Sequence, residues 1–453
     1  MNESKRILLS VMITSFVGPF MASSLNVAVP IMAVDFNLSP DILTWVITSF
    51  LIGAAAGLLP FGRLADIKGR RYIYLRGLGC VCLTTLICAT TQDFLSLIIF
   101  RFLQGLSMSM IFGTSMALLV SCYPAQNRGK IIGLSAACVY SGVSTGPFIG
   151  GFITDFWGWR SILWFTGIVL LINFILLSRT KKDWHGDKNQ KFDYLGSCIY
   201  IVMIISFLYG ISDWTRHEIV HYLPILSLVL FIGFVIEQYK SKSPLIELSL
   251  FKNTVFAMSN LAALIHYSAT FAIGFILSLY LQLIRGMDAS IAGAFLLIQP
   301  IVMAILSPRA GSLSDRFSSR IIASIGMGIM MISLFLFSFL NTQTSLIMIG
   351  VNLALIGVGF ALFSAPNNNA IMSAVKPQFY GVSAAILAIM RLIGQAMSMA
   401  IVTLVLSIFV VDTLSENYSD YLLTAFDYLF CLFSILCLIA LIASLMRGKE
   451  NVK

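Results

Sequence analysis

The feature that most constrains this chain is a series of fourteen long apolar segments. A helix needs about 20 apolar residues to cross the hydrocarbon core of a bilayer. Backbone hydrogen bonds can be satisfied there only by helices or closed barrels. The chain is therefore predicted to be an all-α membrane protein with fourteen transmembrane helices. The segments span residues 7–32, 42–61, 72–90, 95–122, 131–154, 161–178, 194–212, 221–239, 254–283, 289–308, 321–340, 345–373, 380–410 and 421–446.

The composition excludes the soluble classes of protein. Hydrophobic residues make up 58% of the 453 residues and charged residues 11%, whereas a soluble domain carries about 25% charged residues. A chain with so few polar residues cannot cover the surface of a water-soluble fold. The eight cysteines form no Cys-x-x-Cys pair, so neither a disulfide framework nor a zinc site is predicted.

The basic residues predict the orientation in the membrane. With the N-terminus in the cytosol, the cytosolic segments hold 24 Lys and Arg residues, and the external segments hold three. Such an asymmetry follows the positive-inside rule and places both termini in the cytosol. The net charge of +9 is thereby explained without a nucleic-acid partner.

Two parts of the sequence repeat in the same direction. The segment 62–71 matches 311–320 at four positions, each 249 residues apart, and two glycines match at a spacing of 252. Parallel repeats are typical of transporters whose halves move about a central site. We predict a six-helix bundle over 1–178, a linker with two inserted helices over 179–253, and a six-helix bundle with a short cytosolic tail over 254–453.

The loop between the second and third segments has the composition of a conformational latch. It reads GRLADIKGRR over residues 62–71, where glycines permit a tight turn and a carboxylate can pair with an arginine. A plain positive-inside anchor is the alternative. The residues assigned to the latch are Gly62, Asp66, Gly69, Arg70, Arg71 and, in the second copy, Asp315.

This loop resembles the signature loop of the major facilitator superfamily, and three further stretches extend the resemblance over essentially the whole chain. Residues 101–105, RFLQG, resemble the Arg-x-x-Gln-Gly motif of that superfamily. Residues 142–151, GVSTGPFIGG, resemble its antiporter motif, and residues 26–30, NVAVP, resemble the start of its fourteen-helix drug:proton antiporters.

The resemblance implies a transporter and not an enzyme. A member of this group would export drugs or other small amphiphilic compounds by alternating access, with an inward proton flow as the driving force and no cofactor. We expect a multi-pass monomer in a bacterial plasma membrane, whose partners are its substrates and the lipid. An uncoupled or dedicated metabolite exporter of the same fold is the alternative.

Two arginines lie inside predicted helices, where a charge is expensive unless it is paired or faces water. Arg101, with Gln104 one turn away, is expected to face a cavity on the substrate or proton pathway, and snorkelling to the headgroups is the alternative. Arg391 is assigned to the same pathway, with a structural ion pair as the alternative.

A stripe of small residues marks the fifth segment. Gly142, Gly146 and Gly150 recur every four residues on one face, which permits close helix approach. Pro147 removes a backbone donor, and Gly151 completes the motif. We expect a tight, bent seam against the other half of the protein, with generic packing as the alternative.

Two more polar residues are assigned to the pathway. His266 lies near the middle of the ninth segment, and imidazole titrates near physiological pH, so it is a candidate proton carrier or a hydrogen-bonded packing residue. Asn367 follows Pro366, and it either lines a vestibule or bonds a neighbouring helix.

One position departs from the resemblance. The related antiporters carry an aspartate in the first helix, five residues before the Asn of Asn-Val-Ala, and here that residue is Met21. Proton exchange needs another titrating group, and the candidates are Asp66, Asp155, His266 and Asp427. A site without this acid favours neutral, zwitterionic or anionic amphiphiles over dications.

A different class of function is suggested by one short motif. His217, Glu218 and His221 form a literal His-Glu-x-x-His, the zinc-protease spacing. No third ligand is evident nearby, so a membrane zinc protease is the remote alternative.

Overall fold

The computed structural model describes residues 3–123, 125–184, 191–214, 218–241, 243–314, 317–375, 380–409 and 418–448. Within them the chain forms seventeen α-helices and no β-strand. The helices are α1 (Glu3–Phe36), α2 (Pro40–Leu43), α3 (Trp45–Lys68), α4 (Arg70–Thr90), α5 (Phe94–Cys122), α6 (Ala125–Trp157), α7 (Arg160–Ser178), α8 (Tyr194–Ser212), α9 (Tyr222–Lys240), α10 (Thr254–Thr270), α11 (Ile273–Leu279), α12 (Ala289–Leu296), α13 (Ile298–Ser314), α14 (Ser319–Phe337), α15 (Leu346–Ser373), α16 (Tyr380–Phe409) and α17 (Tyr418–Leu445).

All fourteen apolar segments are helical, which confirms the predicted fold class. Thirteen helical stretches in the described part of the chain are long and apolar enough to cross a bilayer. Three segments that we predicted as single helices are interrupted. The second breaks at Thr44, between α2 and α3. The ninth comprises α10, α11 and a π-helical turn, Tyr280–Ile284. The tenth breaks at Leu297, three residues before Pro300, which has no N–H for the carbonyl one turn earlier.

The chain divides into two compact units. The first comprises 1–38 and 43–246, and the second comprises 39–42 and 247–453. The inserted helices α8 and α9 therefore belong to the first unit, where the Tyr200 hydroxyl of α8 donates to the Ala55 carbonyl of α3 at 2.9 Å. The division into a bundle, a linker and a second bundle remains a prediction.

The two units repeat one pattern of helix pairing. In the first unit α1 packs on α6, α3 on α5, and α4 on α5 and α7. In the second, α10 packs on α16, α13 on α15, and α14 on α15 and α17. Each helix of the second unit thus takes the partners that its sequence counterpart has in the first, as expected for parallel repeats.

Matched glycines make the closest of these helix contacts. A Cβ on Gly142 of α6 would overlap the Phe16 carbonyl of α1, and a Cβ on Gly394 of α16 would lie 2.5 Å from the Leu264 carbonyl of α10. These two glycines are one of the two pairs that the sequence aligns at 252 residues. The same contact therefore forms at equivalent places in both units.

Two more glycine pairs make equivalent helix contacts in the two units. Alignment of the two sequence repeats did not identify these pairs. The first pair joins α5 to α3 and α15 to α13, and the second joins α4 to α5 and α14 to α15. Their spacings are again 252 and 249 residues. The pairs are Gly105 with Gly357 and Gly77 with Gly326.

Candidate functional site

The predicted latch forms an ion pair within the first unit. Nε of Arg70 donates to Oδ1 of Asp66 at 2.8 Å, and Nη2 lies 2.7 Å from the same oxygen. Nη1 of Arg70 donates to the Ser121 hydroxyl of α5 at 2.6 Å. Since α3 ends at Lys68 and α4 begins at Arg70, this pair bridges consecutive helices and ties both to α5.

The other latch residues have separate contacts. Gly69 has a φ of 119°. Residues with a side chain larger than hydrogen rarely adopt this backbone conformation. Nε of Arg71 donates to the Thr180 hydroxyl at 2.7 Å. A Cβ placed on Gly62 would lie 3.8 Å from the Gly113 carbonyl oxygen. Asp315 lies outside the described residues, so the second copy of the latch remains a prediction.

Arg101 lies in the interior of the first unit. Its side chain is 2% exposed, and its Nε donates to the Val46 carbonyl of α3 at 2.7 Å. Nη1 donates to Oε1 of Gln104 at 2.5 Å, and the guanidinium lies 4.7 Å from the centre of the Phe50 ring. The alternative of snorkelling to the headgroups is wrong, because the side chain points into the bundle.

Gln104 extends this polar group to two more helices. Its Nε2 donates to the Thr85 hydroxyl of α4 at 2.5 Å and to the Met21 sulfur of α1 at 3.4 Å. Arg101 thus meets backbone, amide and aromatic groups but no carboxylate among the described residues. Met21 occupies the place at which the resemblance implies an acid. Nothing in the sequence alone pointed to Thr85 as part of this group.

The glycine stripe of α6 packs within its own unit. A Cβ at Gly142 would be 3.1 Å from the Phe20 backbone N, one at Gly146 would be 2.8 Å from the Phe20 carbonyl, and one at Gly150 would be 2.7 Å from Ser24 Cα. All these groups belong to α1. These three glycines therefore pack on α1, and the expected seam with the other half remains a prediction. They let α6 approach the first helix of the same bundle.

The end of the antiporter motif keeps its helical path. The helix α6 continues through Pro147, and Gly151 is buried near its C-terminal end. The Ser24 hydroxyl donates to the Gly146 carbonyl at 2.9 Å. The Gly150 carbonyl accepts from the Thr154 hydroxyl of the same helix at 2.6 Å.

His266 lies in an apolar, aromatic setting in the second unit. Its side chain is fully buried, and its ring centroid lies 4.2 Å from that of Phe363, 4.7 Å from Phe360 and 5.0 Å from Tyr267. Neither ring nitrogen has a hydrogen-bond partner among the described residues. The alternative of a hydrogen-bonded packing residue is therefore wrong, and its role as a proton carrier remains a prediction.

The remaining pathway residues have different surroundings. Asn367 is 1% exposed, and its Nδ2 donates to the Ser259 carbonyl of α10 at 3.3 Å, which is the helix-bonding alternative. Arg391 is half-buried in α16, and no ion pair to it occurs among the described residues. Asp427 has one buried carboxylate oxygen without a partner in the described part of the chain. Asp155 is exposed.

The described part of the His-Glu-x-x-His segment is not an α-helix. Glu218–His221 is a 3-10 turn, and Nε2 of His221 lies 2.7 Å from the Trp214 carbonyl. His217 lies outside the described residues. Within the described residues, no cluster of three metal-ligating side chains occurs.

Comparison with known sequences decides the family. The sequence profile of the Major Facilitator Superfamily matches residues 11–399 and, in a second match, 261–452. The chain belongs to the major facilitator superfamily. Because members of this superfamily are transporters, the protein is a membrane transporter, and the zinc-protease alternative is wrong.

Two curated relatives match almost the whole chain. The riboflavin transporter RibZ of Clostridioides difficile is 29% identical over 418 residues, which cover 92% of this chain and 90% of the relative. The multidrug resistance protein Stp of Mycobacterium tuberculosis is 29% identical over 420 residues, 90% of this chain and 77% of the relative. The relatives therefore include transporters named for one vitamin and for many drugs.

Solved structures agree with the fold. A bacterial homolog of the human lysosomal transporter Spinster has a TM-score of 0.72 at 15% identity and covers 99% of this chain and 97% of that one. A POT family transporter in complex with 5-aminolevulinic acid also has a TM-score of 0.72, at 13% identity over 98% of this chain and 96% of that one. At these identities the likeness shows the fold alone.

Proposed function

We propose that this protein exports small amphiphilic compounds by alternating access, driven by an inward flow of protons. The multidrug resistance relatives support export. The antiporter-like stretch of α6, with its close approach to α1, supports exchange. The termini lie in the cytosol of a bacterium, and the transporter acts as a monomer in the plasma membrane without a cofactor.

The observation that carries the proposal is the buried polar group around Arg101. A guanidinium with two neutral hydrogen-bond acceptors and an aromatic ring is an incompletely neutralised cation in an apolar bundle. Intramembrane charge marks a substrate or ion pathway. Such a cation attracts anionic or polar neutral groups and repels cations, so the preferred substrates are neutral, zwitterionic or anionic amphiphiles.

A second function is favoured by Met21. A methionine thioether does not titrate, whereas the related antiporters carry a carboxylate at this position. A dedicated metabolite exporter or facilitator that uses no proton gradient is therefore the second candidate. Its support from the comparisons is the likeness to a riboflavin transporter. The two candidates share the fold and differ in whether protons flow.

A transport assay in proteoliposomes separates the candidates. The purified protein is reconstituted, and accumulation of riboflavin is measured with an acidic lumen, with equal pH on both sides, and with an acidic lumen collapsed by an ionophore. Antiport predicts that an acidic lumen accelerates accumulation and that the ionophore removes the effect. Equal rates in all three conditions establish the uncoupled exporter. A permanently mono-anionic dye, whose charge does not change over this pH range, replaces riboflavin in a parallel series, and no movement of either probe refutes both candidates.

A probe of opposite charge tests the substrate class in the same vesicles. We expect the dication dequalinium to be transported at least about tenfold more slowly than the mono-anion, since the discrimination needs only about 1.4 kcal/mol. Protein-free vesicles correct for passive leakage of each probe. Faster transport of the dication than of the mono-anion contradicts the proposed substrate class and leaves the transport function itself untouched.

A further inference from the structure

The segment that follows α7 lies against the latch loop, although no sequence motif marks it. We call residues 178–184 the strap. Arg71 donates from Nε to the Thr180 hydroxyl at 2.7 Å and from Nη2 to the Ser178 carbonyl at 3.5 Å. On the other side, the Glu3 carboxylate accepts two successive strap N–H groups at 3.0 and 3.3 Å. The strap is thus bonded to the first turns of both α1 and α4.

The strap supplies the cap that α4 lacks. The first four N–H groups of a helix have no partner within it, and an Asp, Asn, Ser or Thr side chain at the preceding position commonly accepts from the second or third. That position is Gly69, which has no side chain. Instead, Asp183 accepts the Arg71 N–H through Oδ1 at 2.8 Å and the Tyr72 N–H through Oδ2 at 3.1 Å.

The remaining N–H groups of the first turn are also satisfied. The Arg70 N–H donates to the Trp184 carbonyl at 2.7 Å, and the Ile73 N–H donates to the Gly69 carbonyl at 3.1 Å. A Cβ at Gly69 would lie 2.8 Å from Cγ of Asp183. The glycine of the latch loop therefore provides both the turn and the space in which the carboxylate of the strap sits.

We infer that Asp183 is a positioning residue for the latch, because its cap on α4 holds Arg70 against Asp66. Arg70 is the first residue of α4, and its backbone is bonded to the strap while its side chain reaches Asp66 and Ser121. When the cap is lost, the first turn frays and the guanidinium is no longer held. The inference rests on the proposed transport function, since the latch acts in that cycle.

Hydrogen exchange tests the cap without any substrate. Amide exchange of the peptide covering residues 69–76 is measured by mass spectrometry on protein in lipid nanodiscs. We expect Asp183→Ala to accelerate exchange at Arg71 and Tyr72 about tenfold, the effect of losing one cap. Asp183→Asn keeps one acceptor oxygen, and its exchange rate is expected to lie between those of the wild type and Asp183→Ala. Unchanged exchange in the alanine variant overturns the inference.

A double-mutant cycle tests whether the cap acts through the latch. Riboflavin accumulation is measured for Asp183→Ala, Asp66→Asn and the double variant, with Asp93→Ala as the matched control. Asp93 caps α5 through the Ser96 N–H at 2.8 Å, beyond the end of α4 that is opposite to the latch. We expect Asp183→Ala to lower kcat about fivefold or more with an unchanged KM, and the double variant to equal Asp66→Asn alone. Asp93→Ala should transport normally.

Each outcome decides between a positioning role and a purely structural one. Three outcomes overturn the inference. The first is a double variant whose loss of kcat is the product of the two single losses, and the second is a raised KM with an unchanged kcat in Asp183→Ala. The third is normal transport by Asp183→Ala although its amide exchange is accelerated. If the wild type moves no riboflavin, the proposed function fails for this substrate. The exchange measurement then still decides the cap, because protection that does not depend on Asp183 refutes it.

Discussion

At the scale of single residues, the chemistry of the first unit depends on what Arg101 meets. Its partners are a backbone carbonyl, Gln104 and the ring of Phe50, and Gln104 in turn contacts Met21. A carboxylate on α1 would neutralise this cation, since opposite charges attract strongly in a medium of low polarity. The identity of residue 21 therefore sets the charge of the site.

The charge of the site can be neutralised by one substitution. Met21→Asp is expected to shift the ratio of dication to mono-anion transport by about tenfold or more toward the dication, which corresponds to about 1.4 kcal/mol. Met21→Asn has the same size without the charge and is the matched control. The ratio is measured in proteoliposomes with dequalinium and the permanently mono-anionic dye. Equal behaviour of the two variants contradicts a charge-based selectivity.

At the scale of helices, close approach along glycine seams organises each bundle. Gly142 of α6 lies on the α1 backbone, and Gly394 of α16 lies on the α10 backbone. Lipid tails are as apolar as leucine, so packing and not hydrophobic transfer drives helices together in a membrane. A methyl group in such a seam must therefore be accommodated by movement of a whole helix.

Because the two glycine seams are equivalent, the same substitution in each is predicted to lower the stability of the protein to a similar extent. Gly142→Ala and Gly394→Ala are each expected to destabilise the protein by about 1–3 kcal/mol, the usual effect of overpacking. Gly233 of α9 has no atom within 4 Å of a virtual Cβ, so Gly233→Ala is the control and should be neutral or slightly stabilising. Melting midpoints in detergent report the effect. Similar midpoints for all three variants would refute the seams.

At the scale of the whole molecule, duplication is the organising principle. The helix pairings of α1, α3 to α7 recur in α10 and α13 to α17, and three glycine pairs make matching contacts. Because the repeats run in the same direction and each contains an even number of membrane crossings, equivalent loops must lie on the same side of the membrane.

The sidedness of equivalent loops is directly measurable. In a cysteine-free background, cysteines replace Lys68 and Phe317, which are 249 residues apart, and an impermeant maleimide is applied to intact cells and to inverted vesicles. We expect both positions to react only in inverted vesicles. Cysteines at Gln92 and Gln343, predicted to be external, should show the reverse. Labelling of positions 68 and 317 from opposite sides would contradict the duplication and the proposed mechanism.

The latch and the polar pathway show which part of a site can be predicted. Asp66 and Arg70 were identified because they are four residues apart in one loop, and Arg101 because an arginine stands out in an apolar segment. Asp183, Thr85 and the aromatic rings around His266 were not identified. They come from distant parts of the chain, and nothing in their local sequence distinguishes them from ordinary loop or packing residues.

The sequence alone determined the apolar helices and the duplication and predicted the orientation, because the bilayer requires long apolar segments and the cytosolic side selects for basic loops. Tertiary structure decided which helix faces which. It placed the glycines of α6 against α1, and it broke the tenth segment before Pro300. It also put the carboxylate of Asp183 on a helix that begins more than 100 residues earlier. Apolar periodicity is the same for a face against lipid and a face against a neighbouring helix, so only packing distinguishes the two.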